Sequence, residues 1–114
     1  MPTFAALTYT PDVDWSAPEQ ADEMKLYGEF SRSAAAIIRG GAVLYPTATA
    51  TTVRVPGGRG GEVVASDGPY AETKEVLTGF FLLECADLDE AVAVAGTIPA
   101  AWNGAVEVRP TIQF

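Results

Sequence analysis

The sequence contains no histidine. Its absence removes the commonest general base, the usual nucleophile–histidine arrangements and nearly every zinc site. Proton chemistry must rest on carboxylates, lysines and tyrosines, and one stretch, SDGPYAETKE (Ser66 to Glu75), gathers all three. Asp67 stands at the end of a strand-like run, before Gly68-Pro69. A partly desolvated carboxylate there serves as general base or ligand acceptor, because burial raises its pKa toward a useful value. Asp67 is therefore the candidate catalytic residue. The competing reading is that its side chain caps the turn that follows, as Asp before Gly often does. Gly68 and Pro69 supply geometry.

Around Asp67 the candidate ligand-binding residues are Tyr45, Arg54, Tyr70, Lys74 and Arg109. Tyr70 either donates its hydroxyl to a ligand or packs its ring. Lys74 holds Asp67 ionised or binds an anionic ligand; otherwise it is a solvated charge, like Glu72 and Glu75. Tyr45 and Arg54 precede the motif on neighbouring strands and reach the same mouth. Arg109 is a carboxylate or phosphate clamp if it points into a dimer cleft, and otherwise pairs with Glu84 or Glu107. No Glu-x-x-His pattern or EF-hand spacing is present, so no metal and no cofactor is expected. Gly57-Gly58-Arg59-Gly60-Gly61 opens no helix and lacks a Lys-Ser/Thr ending, so it reads as a hairpin loop and not a phosphate loop. Cys85, the single cysteine, lies in an apolar run and reads as a buried structural thiol.

These residues need a scaffold, and 114 residues make one domain, 1–114, able to bury a single core. A hydrophobic content of 48% with 19% charged residues excludes general disorder. The net charge of −8 and the scattering of the seven basic residues argue against nucleic acid and against acidic membrane surfaces. The opening MPTFAALTYT has no basic segment or long apolar run, and no stretch reaches membrane-spanning length, so a cytoplasmic location is expected.

PTFAALTY (2–9) reads as a first, central strand. Ser16 and Glu19 form a capping-box pattern, predicting a helix from about Ala17 to Arg39 with Met24, Tyr27, Ser31, Ala34 and Ile38 on one face. AVLYP (42–46) is a second strand. ATATTVRV (48–55) and GEVVAS (61–66) flank PGGRG as a hairpin. VLTGFFLLECA (76–86) is the strongest strand; Asp87 with Glu90 then caps a helix carrying Leu88, Ala91, Val92 and Ala95 on one stripe. AVEVRP (105–110) closes the chain. With the hairpin set aside as an insertion, the order is β-α-β-β-α-β, an α+β ferredoxin-like arrangement with two helices on one face of an antiparallel sheet.

Strand alternation describes the other face. Leu77, Gly79, Phe81, Leu83 and Cys85 share one side of the strong strand, and Thr78, Phe80, Leu82 and Glu84 the other. On the last strand Val106 and Val108 oppose Glu107 and Arg109. Large apolar groups on a face the helices cannot cover predict a homodimer with its sheets face to face. The alternative leaves Glu84, Glu107 and Arg109 as solvent-facing charges in weak cross-strand pairs.

ATATTVRV, SDGPYAETKEVLTGFFLLECADLDEA and GAVEVRP together resemble the DGPF-type branch of the YCII-related proteins, over roughly Ala42 to Pro110. The motif reads Asp67-Gly68-Pro69-Tyr70-Ala71-Glu72-Thr73-Lys74-Glu75, followed by Gly79-Phe80-Phe81; Tyr70 stands where that branch carries Phe. The resemblance implies a ferredoxin-like fold in a dimeric α/β barrel. It implies a link to extracytoplasmic-function sigma factors for some members, and a His-Asp pair in wider relatives that a histidine-free chain cannot supply. Two functions from different classes follow. One is a homodimer binding a small polar organic molecule between the sheet and the DGPY loop, with acid/base chemistry by Asp67. The other is a non-catalytic regulatory or interaction module in a sigma-factor pathway.

Overall fold

The computed structural model describes all 114 residues. The first strand, β1 (Thr3–Thr10), alternates strictly: Phe4, Ala6, Thr8 and Thr10 are buried, and the residues between them are half-buried. That period of two is what a strand with one face on a core requires. β1 pairs antiparallel with β5 (Val76–Glu84) on one side and with β6 (Ala105–Pro110) on the other, and β2 (Ile38–Val43) completes the sheet beside β5. The order β2-β5-β1-β6, antiparallel throughout, makes this an α+β architecture consistent with the ferredoxin-like pattern. β3 (Thr51–Arg54) and β4 (Val64–Asp67) form a separate two-stranded hairpin.

Three helices complete the chain: α1 (Ala21–Ser33), α2 (Leu88–Ala95) and the one-turn α3 (Ala100–Asn103). Tyr27 and Phe30 of α1, Ala91 and Ala95 of α2, and Ile98 and Ala100 pack with Phe4, Ala6, Leu83 and Cys85 in one core on one face of the sheet. Each large side chain fully buried there stabilises the fold by about 1.5–3 kcal/mol. The ring of Phe30 meets Phe81 edge-on, and Trp15 meets Tyr27 in the same way. Burial pushes the Tyr27 phenol up to about 12, with the Glu23 carboxylate adding to the shift. Burial, reinforced by Glu90 and Asp87, also raises the Cys85 thiol, a closed and unreactive group.

Several expectations need correction. The helix predicted over 17–39 is shorter: Ser16 does not cap it, because Asp14 takes both the Ser16 amide and hydroxyl, at 2.9 and 2.6 Å. Pro18–Gln20 forms a 3₁₀ turn, and α1 begins at Ala21. Its core face carries Phe30 where Ser31 was expected; Ser31 is exposed. The segment after Ala34 unwinds, so Ile38 opens β2, which runs over 38–43 and not 42–46. The β-branched Ile37-Ile38 pair suits a strand better than a helix end. Asp87 does cap the second helix, accepting from the Glu90 amide at 2.9 Å, while Glu90 reaches one residue past the cap, to the Ala86 amide at 3.0 Å, and not to the Asp87 amide of a strict capping box.

The most consequential difference lies in β5. Thr8 faces Gly79 but Tyr9 faces Leu77, so Thr78 is an extra residue, a β-bulge. The bulge reverses the alternation below Gly79. Thr78 turns into the core, where its hydroxyl lies 3.2 Å from that of Thr8 and 3.3 Å from that of Thr10. Leu77 turns to the uncovered face, 41% exposed. Gly79 permits this close packing, since a Cβ there would stand 2.6 Å from the Ala42 carbonyl oxygen.

Candidate functional site

The bulge matters because it builds one wall of the largest cleft. Val76 and Leu77 of β5, with Tyr9 opposite Leu77 on β1, form that wall. The segment after β2 supplies the next side through Leu44, Tyr45 and Pro46, then a 3₁₀ turn, Thr47–Thr49, whose Thr49 amide and hydroxyl both donate to the Pro46 carbonyl, at 2.9 and 2.7 Å. The hairpin base and DGPY loop close the third side with Thr51, Pro69, Tyr70, Ala71 and Thr73. The cleft is half-open, with a volume of about 720 Å³, within the range of small-molecule sites. No Asp, Glu, Lys or Arg lines it: three tyrosines and four threonines supply all its hydroxyls, on an otherwise apolar surface.

The loops are fastened from outside. The Asp12 carboxylate accepts from the Thr47 hydroxyl and, at 3.0 Å, from the Thr47 amide. Those two bonds hold the Asp12 carboxyl below its ordinary value, the hydroxyl contributing most. At the hairpin base the Gly68 amide donates to the Ala50 carbonyl and the Thr52 hydroxyl to the Gly68 carbonyl, each at 2.8 Å. Gly68 has φ +104°, a conformation that favours glycine over any L residue. Thr73 closes the far end by donating to the Glu75 carbonyl at 2.5 Å.

Of the residues singled out in the sequence, Tyr45 and Tyr70 line the cleft; they are 68% and 78% exposed, so both rings stand at its mouth. Arg54 lies with its guanidinium 5.2 Å from the Tyr70 ring centre, a cation–π contact that holds the ring without entering the cleft. Asp67 is exposed at the end of β4, opposite Thr51. The turn after it is held by Gly68 and Thr52 backbone and hydroxyl groups. Lys74 is exposed beyond the DGPY loop and outside the lining. Arg109 sits on β6 opposite Ala5, on the uncovered sheet face and away from the cleft. Glu84, one of the two partners anticipated for Arg109, pairs instead with Arg39 at 3.4 Å. Tyr9, Leu77 and the Asp12–Thr47 fastening escaped the sequence reading. Tyr9 was readable as an alternate position of β1; Leu77 was hidden by the bulge.

The fold and the cleft define a small α+β domain with a neutral, hydroxyl-rich hollow at one end of its sheet. Residues 5–114 match the YCII-related domain, and the chain belongs to that family. It is similar to an uncharacterised protein of Rhizobium meliloti, 36% identical over 118 residues, an alignment covering 97% of this chain and 93% of the relative. No helix is long and apolar enough to cross a membrane.

Proposed function

We propose that this chain is a cytoplasmic homodimeric binding domain that takes up a neutral, flat organic molecule, aromatic or cyclic with one or two hydroxyl or carbonyl groups, in the cleft beside the DGPY loop. The observation that carries this reading is the lining. Tyrosine rings offer apolar faces with a hydroxyl at the edge, and threonines add short donors, which suits an uncharged ring system. An anionic ligand would find no cation within the lining. Dimerisation as a face-to-face α/β barrel rests on the uncovered face, where Gly40-Leu82-Ala5-Arg109 and Ala42-Phe80-Leu7-Glu107 form two cross-strand rows. Each row runs from small residues through apolar ones to a charge of opposite sign, a self-complementary surface for a two-fold pair. Asp67, Lys74 and Arg109 stand outside that lining, so acid/base chemistry by Asp67 enters only for a ligand with a group that projects past Pro69.

The test is a thermal-shift screen of neutral aromatic and cyclic metabolites on wild type, Tyr45→Ala and Asp67→Asn. A ligand that raises Tm in wild type and Asp67→Asn but not in Tyr45→Ala supports binding in the cleft without Asp67 chemistry. Loss of the shift in Asp67→Asn as well brings Asp67 into the site. Shifts only from charged ligands, unchanged in Tyr45→Ala, refute the reading. The alternative, a non-catalytic interaction module, is favoured by the exposed hairpin. It predicts no ligand and no effect of either substitution beyond stability.

A further inference from the structure

Trp15 carries a polar group that the fold leaves without a partner. The residue is 8% exposed, and its indole N–H is sealed from solvent yet meets no acceptor in the chain. Such a donor bears its full desolvation cost, and buried N–H groups are as a rule satisfied. Trp15 lines a hollow of about 180 Å³ that shares no residue with the cleft. Its polar walls are Thr10 at the end of β1, Gln20 just before α1, Glu23 in the first turn of α1 and Asn103 at the end of α3. The hollow on the Leu44 side of Trp15 is different, with Ser16 its one polar residue besides the rim tyrosine, Tyr45.

The polar groups of the first hollow have their roles partly fixed. Asn103 Nδ2 donates to Glu23 Oε1 at 3.0 Å, which ties α3 to α1 and leaves Glu23 Oε2 as an acceptor. The Thr10 hydroxyl is spent within the chain, donating to the Pro11 carbonyl at 3.0 Å. Gln20 stands at the N-cap of α1 without a side-chain cap bond, so its amide can both donate and accept. The hollow therefore offers one buried donor, one carboxylate and one amide. A carboxylate ligand would satisfy Trp15 but meet the like charge of Glu23. An ammonium, which only donates, would leave the Trp15 N–H as it is. A neutral planar group with an acceptor and a donor side by side meets both, and a primary carboxamide is that group.

We propose that this hollow is a second binding site, for a small neutral primary carboxamide whose carbonyl accepts from Trp15 Nε1 and whose NH2 donates to Glu23 Oε2, with the Gln20 amide pairing alongside. Nothing in it depends on the cleft. The volume is below the roughly 300–1,000 Å³ of ordinary ligand pockets, so the molecule has only a short chain beyond its amide.

The test follows the indole N–H resonance of Trp15 by nitrogen-15 NMR while propionamide, propionate or butanone is added at constant ionic strength. Propionamide is expected to move that resonance saturably, with a Kd of about 1 mM, the scale open to so small a molecule. Propionate, repelled by Glu23, and butanone, which lacks the N–H donors, should bind at least about tenfold more weakly. Trp15→Phe removes the donor and should weaken propionamide roughly fivefold or more. Glu23→Gln keeps the shape and removes the charge, so propionate should come within about threefold of propionamide. That variant decides the matter if Trp15→Phe does not fold. A resonance that no probe moves, one that contacts only a bound water, or equal affinity for all three probes overturns the proposal. So does a Glu23→Gln protein that rejects propionate as wild type does.

Discussion

β5 and β3 are both rich in branched side chains, yet Leu83 of β5 is fully buried whereas Val53 of β3 stays 60% exposed. The difference is topological. β5 sits between β2 and β1, one of the sheet's two central strands, with helices over one face. β3 has one neighbour, β4, and no layer over either face. A two-stranded hairpin alone is marginal in water, so its order must come from its base and from whatever it touches. Propensity makes both strands; only partners make one of them a core.

The contrast is sharpest at those two residues. Leu83→Ala is expected to lower the stability of the folded chain by about 3 kcal/mol, through lost burial and a residual cavity, whereas Val53→Ala should change it by less than about 0.5 kcal/mol. Urea denaturation followed by circular dichroism measures both, and similar midpoints for the two variants would break the comparison. Gly79→Ala comes next, at about 1–3 kcal/mol, since its Cβ must push the Ala42 carbonyl aside and disturb the bulge. The same substitution at exposed Gly58, where nothing lies within 4 Å, leaves packing untouched and strains only the backbone at φ +75°.

Two pH effects follow in decreasing size. Tyr27 has its folded pKa raised to about 12, above its ordinary 10.0. The stability it contributes is whole below pH 10 and is lost as pH rises toward 12. Ultraviolet titration should show one of the four tyrosines ionising at that upper limit, and Tyr27→Phe should flatten the alkaline fall in stability. Asp12 is shifted the other way. Its contribution is present above its ordinary value of 3.8 and disappears as pH falls through the lower folded value. Asp12→Asn is expected to cost less than about 1 kcal/mol and to remove that part of the acid dependence, read from urea midpoints between pH 5 and 2. A larger loss would mean that the Thr47 turn belongs energetically to the core and not to the cleft rim.

Where order is local, the sequence was readable. β6 was predicted at its observed limits, Asp87 and Glu90 announced α2, and three glycines between two branched runs announced the hairpin. Two of the residues singled out around the DGPY motif, Tyr70 and Tyr45, line the same cleft. What escaped depends on partners distant in the chain. Thr78 becomes a bulge through its register with Thr8 and Tyr9, some 70 residues away. Asp12 fastens Thr47 across 35 positions. Asp14 takes Ser16 away from its capping pattern by a competing local bond that spacing alone does not rank. α3 is four residues long, shorter than a period from which a helix can be recognised.

The two tryptophans give the molecule an optical asymmetry. Trp15 is buried against Tyr27, in a hollow it shares with Leu44 and Tyr45 of the cleft wall, while Trp102 is 62% exposed with its indole N–H donating to the Gly96 carbonyl at 2.9 Å. Their emission therefore separates by colour, blue from the shielded indole and red from the wet one. A substance that moves Leu44 or Tyr45 perturbs the blue component and leaves the red as an internal standard, so the chain carries its own fluorescent gauge of what enters the cleft.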